Sequence, residues 1–387
     1  MSVTLEPPAR SVKGLYRPTW AEIDLDALRG NVGQIKKAIS SRTGLIAVVK
    51  ANAYGHGALE VARTLAQVGV SWVGVSSVEE GLALRSTGFE AGILVLGTSF
   101  PFESFEVALE SGLTPTVSSL DGLEAFAQAA SRRGKEGARF HLKVDTGMGR
   151  IGVSVSAATQ IFEWLKSHEG VQLEGLYTHF SSADSDPEMT RQQLTLLHEV
   201  VQEAQRFGQK CLVHAAASAA IFSYPESHLD AVRPGLSLYG ILPVDHSRAV
   251  SLNPVLSWKT RAVFVKSIPA GTPVSYGASF RTVRPSRIAT LPVGYADGYR
   301  RELSNKSEVL ILGHRCPVVG RVTMDHTMVD VTDVGERVGA GEEVVLIGRQ
   351  GSEEISAWEM ARLCGTIPYE VLCGISNRVP RIFKGSR

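Results

Sequence analysis

In this 387-residue chain, the segment most suited to chemistry is LIAVVKANAYGHG (residues 45–57), where an apolar strand ends on Lys50. Turn geometry accounts for the glycines that follow. Nothing about strand termination calls for a lysine. A lysine beside apolar walls loses charge stabilisation, so its pKa falls and its amine becomes available for a Schiff base. A lysine snorkelling from a strand end into water fits the same position. In VDTGMGRIG (residues 144–152), Gly147, Gly149 and Gly152 form a Gly-x-Gly-x-x-Gly triplet after a strand, with Glu174 further along. That satisfies the dinucleotide fingerprint and keeps an oxidoreductase open. Against it, the strand is fifth in its series, and Asp145 and Arg150 flank and interrupt the triplet. The alternative is a glycine loop that presents the planar Arg150 guanidinium to an anion.

Three further segments hold candidate residues. AVRPGLSLYG (231–240) sets Arg233 before Gly235, whose backbone admits close approach of a phosphate; a Pro/Gly turn with a solvated arginine is the plain alternative. HAAASAA (214–220) offers the Ser218 hydroxyl. Tyr276, Tyr295, Tyr299 and Tyr369 stand beside glycine, proline or acidic residues, although amphipathic core tyrosines are common. GRVTMDHTMVDV puts Met324 and Asp325 at a turn, where Asp325 can bond locally.

The elements that must position these residues change character along the chain. Eight Val/Ile/Leu-rich runs read as parallel strands buried on both faces: Leu45–Val49, Trp72–Val75, Ile93–Leu96, Leu113–Val117, Phe140–Val144, Leu173–Tyr177, Leu212–His214 and Leu229–Val232. Between them LEVARTLAQ, VEEGLALRS, GLEAFAQAA and ATQIFEWLKS read as amphipathic helices, with Ile161, Trp164 and Leu165 as a stripe. Asp26–Ser40 reads as an extra helix. Eight β/α repeats predict a closed (β/α)8 TIM barrel; a doubly wound open sheet is the rival. After Val250 short β-branched, Pro/Gly-punctuated runs take over, with ISAWEMARLCG as a helix, which predicts a mainly-β domain. The expected fold class is α/β, a barrel over residues 1–245 followed by a mainly-β domain over 246–387.

Charge and composition narrow the function. Forty basic and 39 acidic side chains give a net charge of +1, which removes the electrostatic case for nucleic acid. Apolar residues are 44% and charged residues 20%, ample for a core. No apolar run is long enough to span a membrane, and MSVTLEPPAR lacks the apolar stretch of a signal peptide. Four cysteines without a CxxC fit a reducing compartment, so a cytoplasmic location is expected. No HExxH or Cys/His spacing suggests a metal site.

Taken in order, VVKANAYGHG, KVDTGMGRIG, RPGLSLYG, SYGASF, PVGYADGY, GRVTMD and IPYE–NRVPRIF resemble the alanine racemases, isomerases dependent on pyridoxal 5′-phosphate. The resemblance runs from about Trp20 to Phe383. It implies a racemase that interconverts L-alanine and D-alanine by two-base proton transfer and supplies D-alanine for peptidoglycan. It implies that Lys50 carries the cofactor and is one base, with Tyr276 the other. Tyr54, Ser218, the amides of Gly235 and Leu236, and Tyr369 would hold the phosphate. Arg233 would face the ring nitrogen, and His179 would link it to Tyr276. Arg150 and Met324 would contact substrate. Lys143 aligns with a lysine often carbamylated in the family. Arg301, Arg321, Asp184 and Ile367 would line the entry channel, with Tyr295 close by. The implied assembly is a head-to-tail homodimer with shared active sites. Ala217 stands where the family has asparagine, and Thr323 where it has cysteine, which leaves open a racemase of serine or a basic amino acid. A barrel-plus-β decarboxylase is disfavoured by Tyr276 and Arg233, and a non-catalytic cofactor-binding protein by the second domain.

Overall fold

The computed structural model describes residues 16–242 and 250–385, so the expected boundary at 245–246 and the N-terminal segment lie outside the described residues. The chain divides into two compact units. One takes in residues 27–53 and 58–253, the other 54–57 with the flanking N-terminal and C-terminal stretches.

In the first unit, eight parallel strands carry the framework: Gly44–Val48, Trp72–Val75, Gly92–Thr98, Thr114–Val117, Ala138–Asp145, Val171–Tyr177, Leu212–Ala217 and Ala231–Arg233. Each pairs with the next, and the last pairs back to the first through Ala231 with Gly44 and Val232 with Leu45. The sheet is therefore a closed barrel, and the open doubly wound alternative falls. Leu94, Phe140, Leu142, Val144 and Leu176 are fully buried, as expected of strands covered on both faces. The intervening helices turn apolar stripes inward. Leu120–Arg132 starts at Ser119, whose hydroxyl accepts the Gly122 N–H at 3.0 Å, and it buries Leu123, Phe126, Ala129 and Ala130. In Ala158–Ser167, Ile161 and Leu165 point inward as expected, but Phe162 shares the stripe rather than Trp164. Trp164 sits at the stripe's edge and stacks on His168 with ring centres 4.0 Å apart. The helix expected over 26–40 spans Leu25–Ala38.

The second unit is mainly β. One sheet runs in the order His314–Pro317, Glu308–Ile311, Glu343–Gln350, Leu256–Arg261, Thr19–Asp24, Arg381–Lys384, with Glu353–Ile355 beside Glu343–Gln350. Phe264–Ile268, Ser286–Leu291 and Thr327–Asp330 make a second sheet. The strand Thr19–Asp24 precedes the barrel in sequence yet pairs antiparallel with Leu256–Arg261 and parallel with Arg381–Lys384. Its Trp20, Ala21 and Ile23 are fully buried, with Ala21 opposite Trp258 and Ile23 opposite Leu256 in the register. Pro273–Val274 and Phe280–Arg281 form a small hairpin whose tip holds Tyr276. Among the described residues no helix is long and apolar enough to cross a membrane, and no group of three His, Cys, Asp or Glu is placed to hold a metal ion.

Candidate active site

Lys50 lies just past the C-terminal end of the first barrel strand, the end at which barrel chemistry sits. The chain there enters a left-handed turn, Lys50–Tyr54. Ala51, Asn52, Ala53 and Tyr54 all have φ between 52 and 54°. A left-handed conformation costs an L-residue roughly 1–2 kcal/mol. Four in succession persist only where surrounding contacts over-determine them, a condition that clusters at functional sites.

Lys50 has cationic company in the barrel unit. Lys143 is 5% exposed. Burial first, then the charges of Arg150, Arg233 and Lys50, push its amine down from 10.5 to about 8, with Asp145 opposing. Its Nζ stands 5.7 Å from the Tyr177 ring centre. Asp145, the carboxylate that opposes this shift, is otherwise engaged. Asp145 accepts the backbone N–H groups of Gly147 at 2.9 Å, Met148 at 2.8 Å, Gly149 at 3.1 Å and Arg150 at 3.2 Å. Burial alone would raise the Asp145 pKa, but these four donors hold it below the usual carboxylate value. The glycine triplet thus wraps an internal carboxylate, using the amides that a dinucleotide pyrophosphate would need. Gly152, at φ 135°, fits because a Cβ there would lie 2.6 Å from the Asp145 nitrogen. Glu174 ion-pairs with Arg139 at 3.2 Å and does not serve as a ribose ligand. The oxidoreductase reading fails on both counts.

Arg233 is 3% exposed and, among the described residues, bonds to no carboxylate. Its guanidinium donates to the Thr178 carbonyl at 2.7 Å, the Ala215 carbonyl at 2.9 Å, His214 Nδ1 at 2.7 Å and His179 Nδ1 at 3.3 Å. Its carbon lies 5.0 Å from the Tyr177 ring centre. Burial lowers the Arg233 pKa only to about 10, so it stays a cation near neutral pH. A guanidinium has donors only, so both histidines must accept at Nδ1 and hold their proton on Nε2. Burial and the Arg233 charge push His179 down to about 3 and His214 well below its ordinary value, so both rings are neutral. His214 Nε2 is 2.9 Å from His141 Nδ1. His141 Nε2 in turn lies 3.7 Å from Glu174. A solvated arginine after a Pro/Gly turn is therefore not what the fold builds.

Ser218 is buried, and its hydroxyl oxygen accepts the N–H groups of Gly235 at 2.9 Å and Ser237 at 3.2 Å. Leu236 opens the short 3-10 turn Leu236–Tyr239 beside them. In the β unit, the Tyr54 and Tyr369 rings lie 5.9 Å apart. Tyr276 is 72% exposed and Met324 53%. The Met324 carbonyl accepts the Ala296 N–H at 3.1 Å, and Thr323 accepts Tyr295 N–H at 3.0 Å. Tyr299, by contrast, is a fully buried core residue bonded to Ser307 at 2.9 Å.

The barrel unit's donor set fits pyridoxal phosphate. It offers an amine for an aldehyde, a hydroxyl with adjacent backbone N–H groups for a phosphate, a fixed buried cation for a ring nitrogen, and a surplus of positive charge for an anionic group. His141 and His214 did not stand out in the sequence as candidate site residues. Their signal was a polar residue at an inward position of an apolar strand, as in FHLKV and LVHAA.

Comparison with known proteins agrees along nearly the whole chain. The family model for the alanine racemase N-terminal domain matches residues 23–243, and that for the C-terminal domain matches 255–383. The alanine racemase of Symbiobacterium thermophilum is 48% identical over 375 residues, covering 95% of this chain and 98% of that one. Among solved structures, the alanine racemase of Clostridium difficile is similar with a TM-score of 0.90 at 38% identity, covering 96% of each chain. The alanine racemase from Bartonella henselae with covalently bound pyridoxal phosphate gives 0.85 at 31% identity, covering 95% of this chain and 99% of that one.

Proposed function

Because the chain belongs to the alanine racemase family, we propose that Lys50 and Tyr276 are the two bases of its reaction. The chain is an isomerase that interconverts L-alanine and D-alanine with pyridoxal 5′-phosphate as cofactor, and D-alanine is a building block of peptidoglycan. The observation that carries the residue assignment is Lys50, on a strained turn at a barrel-strand end, in the unit that gathers Lys143, Arg150 and Arg233.

Pyridoxal phosphate, held by these residues, would supply a sink for the electrons left at Cα when the α-proton departs. Racemisation needs that proton taken from one face and a proton delivered to the other, so two groups of opposite facing are the simplest solution. The Lys50 amine serves one face and the Tyr276 hydroxyl the other. Arg233 donates toward the ring nitrogen and keeps its own proton. His179, with its proton on Nε2, offers an N–H to Tyr276. Tyr54, Ser218, Gly235, Leu236 and Tyr369 hold the phosphate, and Arg150 and the Met324 backbone contact substrate. Arg301, Arg321, Asp184, Ile367 and Tyr295 line the entry. A carbamate on Lys143 gives Arg150 an anionic partner.

The assembly is a homodimer in which Tyr276 serves the partner's site. Its support is the exposure of Tyr276, Met324, Tyr295 and Ile367 on the β unit, large side chains that an interface would cover. By the same reading residues 1–245 carry the cofactor and 246–387 contribute to the partner's site. The free thiols of Cys211, Cys316 and Cys364 suit a reducing compartment, the cytoplasm. For a substrate with a side-chain hydroxyl, Thr323 is a poor recognition group, since its own hydroxyl donates to the His326 carbonyl at 2.9 Å and accepts the His326 N–H at 3.1 Å. Alanine is therefore favoured over serine. The test has two parts. A visible absorption band removed by borohydride, with the trapped label mapped to Lys50, checks the attachment. Chiral chromatography after incubation with single enantiomers checks the substrate; label at another lysine, or faster turnover of serine or lysine, overturns the respective assignment.

A further inference from the structure

We infer that Glu80 is a positioning residue for Lys50, a carboxylate that pins the backbone on the C-terminal side of that lysine. The inference rests on Lys50 carrying the cofactor. Glu80 Oε1 accepts the Ala51 N–H at 2.7 Å, and Oε2 accepts the Ser76 N–H at 2.7 Å. Ala51 is the first residue of the left-handed turn, and Ser76 directly follows the second barrel strand. One side chain therefore clips the ends of two neighbouring strands at the face where barrel chemistry sits.

The source of this side chain is unusual. Ser77 caps the helix Val78–Arg85, accepting the Glu80 N–H at 3.4 Å. Ser-x-x-Glu is the sequence of a capping box, in which the glutamate normally returns to the amide of the capping serine. Here both Glu80 oxygens reach past it, to Ser76 and across to Ala51. The third strand closes around the same point, since a Cβ on Gly97 would stand 2.2 Å from the Ser76 carbonyl oxygen. The turn is held at its far side as well, by Asn52 Oδ1 accepting the Ala58 N–H at 2.7 Å. These acceptors help to hold four consecutive left-handed residues, a conformation that costs each L-residue free energy. The carboxylate thus fixes both the position and the aim of the Lys50 side chain.

An ionised carboxylate offers acceptors on both oxygens, whereas an amide has one acceptor and one donor. Glu80→Gln therefore keeps the shape and size of the clip and sets its NH2 against one backbone N–H. Purified holoenzyme of Glu80→Gln, Glu80→Ala and the neighbouring control Glu79→Gln would be compared by hydrogen exchange at Ala51 and Ser76, by pH titration of the visible band, and by kcat and KM. The expected result for both Glu80 variants is exchange at Ala51 and Ser76 faster by about tenfold or more. The band titration should shift, and kcat should fall about 10- to 100-fold, the scale of a misplaced reacting group, with a smaller change in KM. Glu79→Gln should match wild type. Unchanged exchange, or a lowered melting temperature with wild-type band titration and kcat, overturns the inference and leaves Glu80 a helix cap. Borohydride label at a lysine other than Lys50 in the wild type instead sinks the underlying reading, and the exchange data alone then report the clip.

Discussion

Lys143 offers the sharpest quantitative prediction. An ordinary lysine at 10.5 is about 0.03% neutral at pH 7, whereas a lysine at about 8 is roughly a tenth neutral, about a 300-fold gain in reactive amine. A neutral amine can attack carbon dioxide. Its lone pair forms the N–C bond, one C=O π pair moves onto oxygen, and the surplus nitrogen proton leaves to solvent. A buried cation pressed by Lys50, Arg150 and Arg233 becomes an anion among them. Enzyme equilibrated with 13C-bicarbonate at pH 8 should show a carbamate carbon resonance that Lys143→Arg lacks, because a guanidinium stays charged. Lys143→Met should raise KM about tenfold, close to the loss of one charge-assisted hydrogen bond at Arg150. In buffer freed of carbon dioxide the same burial has a stability signature. The folded pKa is depressed, so the unfolded chain binds more protons between about 8 and 10.5, and wild-type stability should rise with pH across that window by about 3 kcal/mol at most. Lys143→Met should flatten the rise. A carbon resonance that survives Lys143→Arg, or its absence from wild type at pH 8, refutes the reasoning.

Tyr276→Phe should cut racemisation by ~10²-fold or more while the α-proton of one enantiomer still exchanges with deuterated solvent. Mixing it with Lys50→Ala subunits should restore part of the activity, and subunit exchange seen by mass spectrometry without recovery would end the shared-site proposal. His214→Leu strands an Arg233 donor and His141 Nδ1 in the barrel, so urea unfolding should register a loss of about 1–3 kcal/mol; a change below half a kilocalorie would mean the network reorganises freely. Asp145 has a depressed pKa from its four backbone donors, so its stabilisation is present above the ordinary carboxylate pKa and lost as pH falls through the lower folded value. Asp145→Asn should remove that part of the acid dependence in urea titrations between pH 2 and 6, and an identical acid limb in both proteins would contradict it.

Much of the fold was legible because barrel strands are buried on both faces and must be apolar along their whole length. All eight runs read from the sequence meet strands of the closed sheet, although the last, Leu229–Val232, overlaps its strand Ala231–Arg233 only at Ala231 and Val232. The strand Thr19–Asp24 was not legible, because its partners Leu256–Arg261 and Arg381–Lys384 come from the far end of the chain and no local pattern records a distant pairing. Lys50 stood out since strand ends do not require lysine. Arg233 stood out too, and the family resemblance pointed to His179 beside it, but His214 and His141 did not stand out. A histidine inside LVHAA reads as a satisfied core residue until the ring 2.9 Å away is known to be His141. The glycine triplet showed the opposite failure. Its spacing reports that several amides converge on an anion, and it cannot say whether that anion is a bound pyrophosphate or the chain's own Asp145.

The charges in the barrel carry a consequence for where the catalytic power must reside. Arg233 keeps its proton at a pKa near 10 and is surrounded by neutral acceptors, so in the proposed role it would offer the ring nitrogen a hydrogen bond and no proton. A group that could hand over its proton would drain charge from Cα more strongly and open side reactions at other atoms. With that demand kept modest, the barrier depends more on the proton donors and acceptors standing in the right place at each face of Cα. The backbone around Lys50 is held at several points: four left-handed residues, a carboxylate on the amide of Ala51, and an asparagine on the amide of Ala58. A site built on strong electron withdrawal could tolerate a loosely held base. With Lys50 as the proposed base, left-handed strain goes with a base held still, the arrangement expected when geometry rather than electronics sets the rate.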